Sequence, residues 1–181
     1  MSARFSLPFA ERCLDRLLPW LCPHAELIEV AGSIRRRCQS IGDIDLVIIP
    51  KTTPETDLFG AATSHRNLTS DEVRRRCAEL NWPMRTDGPN CQIFESAGVQ
   101  VDIWYATPET KGTVLMCRTG SKEHNIWLAD AAAARGAHWN PHHGLQIGGR
   151  VLAGTEDEIY RAIGIDFLPP EARNHSFPKP R

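Results

Sequence analysis

The run Ile41-Gly42-Asp43-Ile44-Asp45-Leu46-Val47-Ile48-Ile49, closed by Pro50, most narrows what this chain can become. Its β-branched residues read as a strand, yet two carboxylates stand at its start. Residues i and i+2 of a strand share a face, which places the Cβ atoms of Asp43 and Asp45 about 6.5 Å apart. At an effective dielectric near 20, two charges at that spacing repel by about 2.5 kcal/mol, nearly two pKa units. Hard divalent cations, which prefer carboxylate oxygens, are the natural compensators. Asp102 takes a polar position in a second apolar strand, Val99 to Tyr105. If the two strands are neighbours, three carboxylates meet at one spot. Such a cluster suits two Mg²⁺ about 3.5–4 Å apart, a clamp for in-line displacement at phosphorus.

The rest of the chain reads as α+β with a mixed sheet. Apolar spacing predicts a helix over Phe9–Leu21, with Pro8 at its start and Pro19 ending or kinking it. Glu26–Ala31 reads as a strand and residues 51–68 as a loop. Thr69 and Glu72 form a capping box for a helix to about Leu80, and Gln92–Glu95 makes a short strand. Ser121 caps an alanine-rich helix ending at Gly136. Gly148-Gly149 turns a hairpin, and Thr155 to Glu158 caps a last helix that Gly164 stops. The proline-rich tail from Pro169 is expected to be extended.

Composition removes several classes. In 181 residues, 41% are hydrophobic and the net charge is -1, so most of the chain is not disordered. No apolar run reaches the roughly 18 residues a membrane helix needs, and the N-terminus has no secretory pattern. The six cysteines form no CxxC pair, which speaks against a zinc ribbon and for free thiols. A cytoplasmic protein is expected, nucleoid-associated if bacterial or viral, without membrane partners and monomeric. Dedicated nucleic-acid binders are often strongly basic. Phosphate contacts here must come from local clusters, of which Arg35-Arg36-Arg37 and Arg74-Arg75-Arg76 are the obvious ones.

A lone Asp-x-Asp is usually a solvated strand end. What shifts that balance lies upstream, where Gly32-Ser33-Ile34-Arg35-Arg36-Arg37 offers flexible backbone, a hydroxyl and guanidiniums, all suited to a triphosphate. With Gly42-Asp43-Ile44-Asp45, this segment resembles the nucleotidyltransferase signature of the family X DNA polymerases, the group containing DNA polymerase beta. Val101-Asp102-Ile103, Thr119-Gly120-Ser121-Lys122-Glu123-His124-Asn125 and Glu156–Pro170 extend the resemblance over most of the chain.

The resemblance implies a palm over residues 1–110, a small thumb over 111–173 and a tail over 174–181. Asp43, Asp45 and Asp102 would be the catalytic metal ligands for two Mg²⁺, with Mn²⁺ able to substitute. Gly32, Ser33, Arg36 and Gly42 would hold the triphosphate of a dNTP or NTP, with Arg4 adding a contact. Cys117, Arg118, Gly120 and Asn125 would face its sugar and base, while Gln100 and Lys122 would meet DNA, primed or gapped. The reaction would be attack of a primer 3′-oxygen on the α-phosphorus, as in short-gap filling.

Two positions depart from the family pattern. Cys117-Arg118 stands where an aromatic Tyr-Phe pair usually precedes Thr-Gly-Ser, leaving sugar choice open. Gln100 stands where polymerase beta has an arginine near the primer terminus. The resemblance begins at the palm, so lyase activity is expected to be missing and the grip on DNA weak. Nucleotidyl transfer to RNA, a protein or a small molecule, or template-independent extension, is the competing reading. A degenerate binding module is the third. Other features carry bland readings: His138, His142 and His143 a polar loop, His124 structural, Trp104 and Trp127 packing, and Arg74–Arg76 a solvated helix face.

Overall fold

The acidic strand does form, and in a computed structural model describing residues 4–56, 62–140, 144–174 and 177 it lies second in a five-stranded mixed sheet. In chain order, β1 (Phe5–Ser6) and α1 (Leu7–Leu21) precede β2 (Ala25–Val30), α2 (Gly32–Arg35), β3 (Ser40–Ile41) and β4 (Ile44–Pro50). Next come β5 (Thr52–Thr56), β6 (Ala62–Asn67), α3 (Leu68–Leu80), β7 (Met84–Asp87), β8 (Cys91–Ser96) and β9 (Val99–Tyr105). The C-terminal part holds α4 (Lys111–Thr119), α5 (Lys122–Ala133), β10 (His138–Asn140), β11 (Gly144–Ile147), β12 (Arg150–Leu152) and α6 (Glu156–Ala162). The large sheet has the order β2-β4-β9-β8-β7, with β4 and β9 parallel and the other pairs antiparallel.

Alternation along the two central strands divides the interior. Ile44, Leu46 and Ile48 of β4, with Val101 and Ile103 of β9, face a core that includes Leu14 and Leu17 of α1 and Val73 and Cys77 of α3. Val47 and Ile49, with Trp104 and Ala106, face the other way and pack on Val114 and Leu115 of α4. Cover on both faces explains why β4 reads as an almost unbroken apolar run. A third cluster, built on Met116, Leu128, Leu145, Ile159 and Tyr160, forms the interior of the C-terminal part.

Several local expectations need correction. The apolar run is two strands, because the chain leaves β3 at Gly42-Asp43 before entering β4; β3 pairs with β1 instead. Residues 52–56 and 62–67 are strands paired to each other, an exposed ribbon whose sequence lacks alternation. Asn67, not Thr69, caps α3 by accepting from the Ser70 N–H at 2.9 Å, while the Thr69 hydroxyl donates to the His24 carbonyl. α1 continues through Pro19 to Leu21. The carbonyl that proline strips of a partner is that of Asp15, an exposed residue on the solvent side of the helix. Residues 170–174 of the expected extended tail form a 3₁₀ turn.

That turn closes a buried ionic network. Arg173, fully buried, donates from Nη1 to Glu156 Oε1 at 2.8 Å and from Nε to the Leu168 carbonyl at 2.9 Å. Arg35 donates to the other Glu156 oxygen at 2.5 Å and to Thr119 Oγ1 at 2.8 Å, tying α2 to the C-terminal part. Burial pushes the Glu156 carboxyl up, but the two guanidiniums outweigh it and hold the group below its ordinary range. Breaking a buried pair by removing one partner costs about 3–5 kcal/mol. Glu156→Ala is therefore expected to lose about that much unfolding free energy in urea titration, far more than an exposed pair such as Arg85–Glu95 would on Glu95→Ala.

Candidate active site

Parallel pairing of β4 with β9 sets Asp45 directly opposite Asp102. Paired residues of adjacent strands share a face, and Asp43 lies two residues ahead of Asp45 on the approach to β4. The turn after β2 is fastened over this end of the sheet, with the Ala31 N–H donating to the Asp45 carbonyl at 2.9 Å. Gly32 follows with φ +59°, and a β-carbon there would overlap Asp45 Oδ2. Backbone conformation and close approach both exclude a side chain at this position.

The electrostatics show what this crowding costs. Burial, then the charges of Asp43 and Asp102, push the Asp45 carboxyl up to about 7. Burial also raises Asp102, against a 2.8 Å hydrogen bond from Gln100 Nε2 to its Oδ1. No ion pair among the described residues compensates Asp43, Asp45 or Asp102. Nor do any three His, Cys, Asp or Glu side chains among those residues already enclose a metal-sized cage. Asp45 and Asp102 share a face, and Asp43 adds to the field on each of them.

The arginine-rich turn divides its labour differently from its sequence reading. Arg35 serves the Glu156 network, and Arg37 pairs with Glu11 at 2.9 Å. Arg36 donates to the Thr119 carbonyl and, at 2.8 Å, to Asn174 Oδ1. It is thus engaged with the C-terminal part rather than free. Ser33 Oγ is buried with no hydrogen-bond partner. Arg4 donates to Ser40 Oγ at 2.6 Å and lies beside Gly42, its Nη1 3.6 Å from where a β-carbon would sit.

Across from this turn, Ser121 Oγ accepts from the His124 N–H and starts α5 as expected. The peptide preceding Ser121 is cis, and Gly120 has φ +62°. Asn125 Nδ2 donates to the Cys117 carbonyl at 2.7 Å, while its Oδ1 is buried without a partner. Arg36, Cys117, Gly120, Lys122, Asn125 and Trp139 line an open cleft of about 530 Å³. Arg118, next to Cys117, turns back to the sheet and stacks on Trp104. That stack was not legible beforehand, since the partners lie on different elements and neither carries a motif. Glu156 was visible only as part of a capping segment.

His138 lies in β10, paired with Gln146, rather than in a loop, while other features keep their bland roles. His124 is buried against Tyr160 OH at 2.5 Å, and burial, then the charge of Arg173, lowers it to about 4, so it stays neutral. Arg74, Arg75 and Arg76 are paired with Asp87, Glu72 and Glu79. His142 and His143 lie outside the described residues. An apolar cavity of about 280 Å³, lined by Trp20, Trp82, Ile44 and Val101, opens behind the sheet. Ile44 of β4 and Val99 and Val101 of β9, which line it, face away from Asp45 and Asp102, so it is separate from the acidic site.

Fold and sheet end together describe an α+β protein with a mixed sheet and carboxylates on one face of its two central strands. Residues 114–174 match the family model of the DNA polymerase beta thumb. The chain is 27% identical over 187 residues to the DNA polymerase/3′-5′ exonuclease PolX of Bacillus subtilis, covering 94% of this chain and 28% of that protein. It superposes on Leishmania infantum polymerase beta, solved as a ternary gap complex, with a TM-score of 0.76 at 18% identity, over 96% of this chain and 71% of the other. The chain has a polymerase beta-like fold, its C-terminal third matches the polymerase beta thumb, and it spans under a third of the length of the PolX it resembles.

The raised Asp45 has a consequence for stability. Between its unfolded value of 3.8 and about 7, the folded protein holds a proton that the unfolded chain has released. Metal-free stability therefore falls as pH rises through that window and levels off above it. In EDTA, Asp45→Asn is expected to be more stable than the parent at pH 8, on the order of 3 kcal/mol by urea unfolding. The difference should shrink toward pH 4.

Proposed function

We propose that this chain transfers a nucleotidyl group from a deoxynucleoside triphosphate to a DNA primer 3′-hydroxyl, releasing pyrophosphate, as a gap-filling polymerase does. The observation that carries this reading is the register that pairs Asp45 with Asp102 beside Asp43. The thumb match and the two polymerases named above support it.

The donor set fits a divalent metal: carboxylates without an ion-pair partner, one of them raised to about 7, beside a buried serine hydroxyl without a partner. Asp43, Asp45 and Asp102 would hold two Mg²⁺, or Mn²⁺ in their place. When bound, these ions supply charge neutralisation at the triphosphate and make the 3′-hydroxyl more acidic. The remaining work belongs to the chain. Ser33 Oγ, the Gly32 and Gly42 backbone and Arg4 bind phosphate oxygens, and Arg36 joins them by exchanging its Thr119 and Asn174 acceptors for phosphate. Asn125, held by the Cys117 carbonyl, lines the cleft where sugar and base would lie. Gln100 orients Asp102 toward the primer end. Lys122, exposed at the cleft, meets the DNA backbone. Positioning and fixed charge do the catalysis.

A net charge of -1 favours a second reading, in which the same site serves RNA, a protein, a small molecule or an untemplated end. Purified protein offered gapped, primed and single-stranded DNA, with dNTPs or NTPs and Mg²⁺ or Mn²⁺, decides between them. Template-directed extension of gapped DNA is expected. Extension that ignores template, or labelling of RNA or protein alone, would replace the first reading by the second. Asp102→Ala is expected to cost at least about a thousandfold in rate with the fold intact by circular dichroism.

A further inference from the structure

The carboxylates are not left with only one another for company. Arg118, in the last turn of α4, lays its guanidinium on the Trp104 ring with the central carbon 3.2 Å from the ring centroid. Trp104 stands two residues beyond Asp102 on β9, so this platform rises from the face that carries Asp102 and Asp45. The stack therefore holds the Arg118 charge on the side of the sheet that carries both carboxyls, although no ion pair joins it to either. Its Nε is buried without a hydrogen-bond partner. Burying a guanidinium with an unmet donor is costly, and the stack on an electron-rich indole face is what fixes it there. Its orientation is set by the ring rather than by a partner carboxylate. The charge remains available to the acidic cluster as a whole.

We propose that Arg118 is a resident counter-ion of the acidic site, occupying the field of Asp45 and Asp102 until a divalent cation takes its place. The proposal rests on the functional reading above and adds what controls metal loading. With the guanidinium in position, part of the attraction that would draw a cation is already spent, so the site binds metal weakly on its own. Cys117, the preceding residue, lines the 530 Å³ cleft, so the counter-ion stands one residue along the chain from it. A nucleotide's triphosphate entering the cleft would give it an anion to meet. Metal and nucleotide would then favour each other's binding through one side chain. The tryptophan platform keeps the counter-ion planar and in place.

The test is Mn²⁺ binding to the full chain without nucleotide, followed by electron paramagnetic resonance of the free ion. Arg118→Met and Arg118→Gln remove the charge, the second retaining a planar amide over the ring, and Arg118→Lys keeps the charge. Both neutral variants are expected to bind Mn²⁺ at least about tenfold more tightly than wild type, and Arg118→Lys within about threefold of it. Asp102→Ala, alone and combined with Arg118→Met, assigns the ion to this site. Equal affinity in wild type and both neutral variants, still lost on Asp102→Ala, would overturn the counter-ion and leave the functional reading standing. Arg118→Lys as tight as Arg118→Met would overturn it too, since charge would not be the cause. Absence of any Asp102-dependent Mn²⁺ binding would remove both.

Discussion

The parallel register of β4 on β9 is the constraint from which the rest follows. Because side chains alternate, the pairing that sets Asp45 beside Asp102 also sets Ile44 beside Val101 and Leu46 beside Ile103. Those apolar partners are completely buried, and each contributes roughly 1.5–3 kcal/mol. A slip of one residue would drive a carboxylate into the core packed on α1 and α3 and put an isoleucine on the acidic face. The greasy side of the two strands thus holds together an acidic side that repels itself. Gly32 completes the arrangement, since any side chain there would collide with Asp45.

The second organising device is the buried network around Glu156. Through Arg35 it fastens the glycine-serine turn to the C-terminal part, and through Arg173 it anchors the closing 3₁₀ turn. Arg36 reinforces the same junction through Thr119 and Asn174. The segment read for phosphate and the elements that line the cleft are consequently held in one relation to each other. The arginine-rich turn looked like a phosphate cradle alone, but two of its three guanidiniums serve this junction.

What was legible in the sequence had local causes. A β-branched apolar run marked β4, alternation around Gln100 and Asp102 marked β9, the Thr155–Glu158 box marked α6, and Ser121 marked α5. The carboxylates stood out because two like charges at the head of an apolar strand require an explanation. What stayed hidden depended on partners far apart in the chain. α4 contains Gly112 and β-branched residues, poor intrinsic helix formers, and is helical because Val114, Leu115 and Met116 are buried against two cores. Gly112 itself passes so close to the Gly154 carbonyl that a β-carbon would overlap it. The Thr69 box lost to Asn67 because Thr69 found a better acceptor at His24, 45 residues away. Nothing local announced that Arg118 would stack on Trp104 or that Glu156 would bridge two arginines.

If acidic side chains of two neighbouring strands hold a metal pair beside a nucleotide, diffraction should see the ions directly. Crystals grown with Mn²⁺ and a non-hydrolysable deoxynucleoside triphosphate are predicted to give two anomalous peaks about 3.5–4 Å apart, both within bonding distance of Asp43, Asp45 or Asp102. Nucleotide density with anomalous signal only elsewhere, and those three carboxylates still without a metal, would contradict the account.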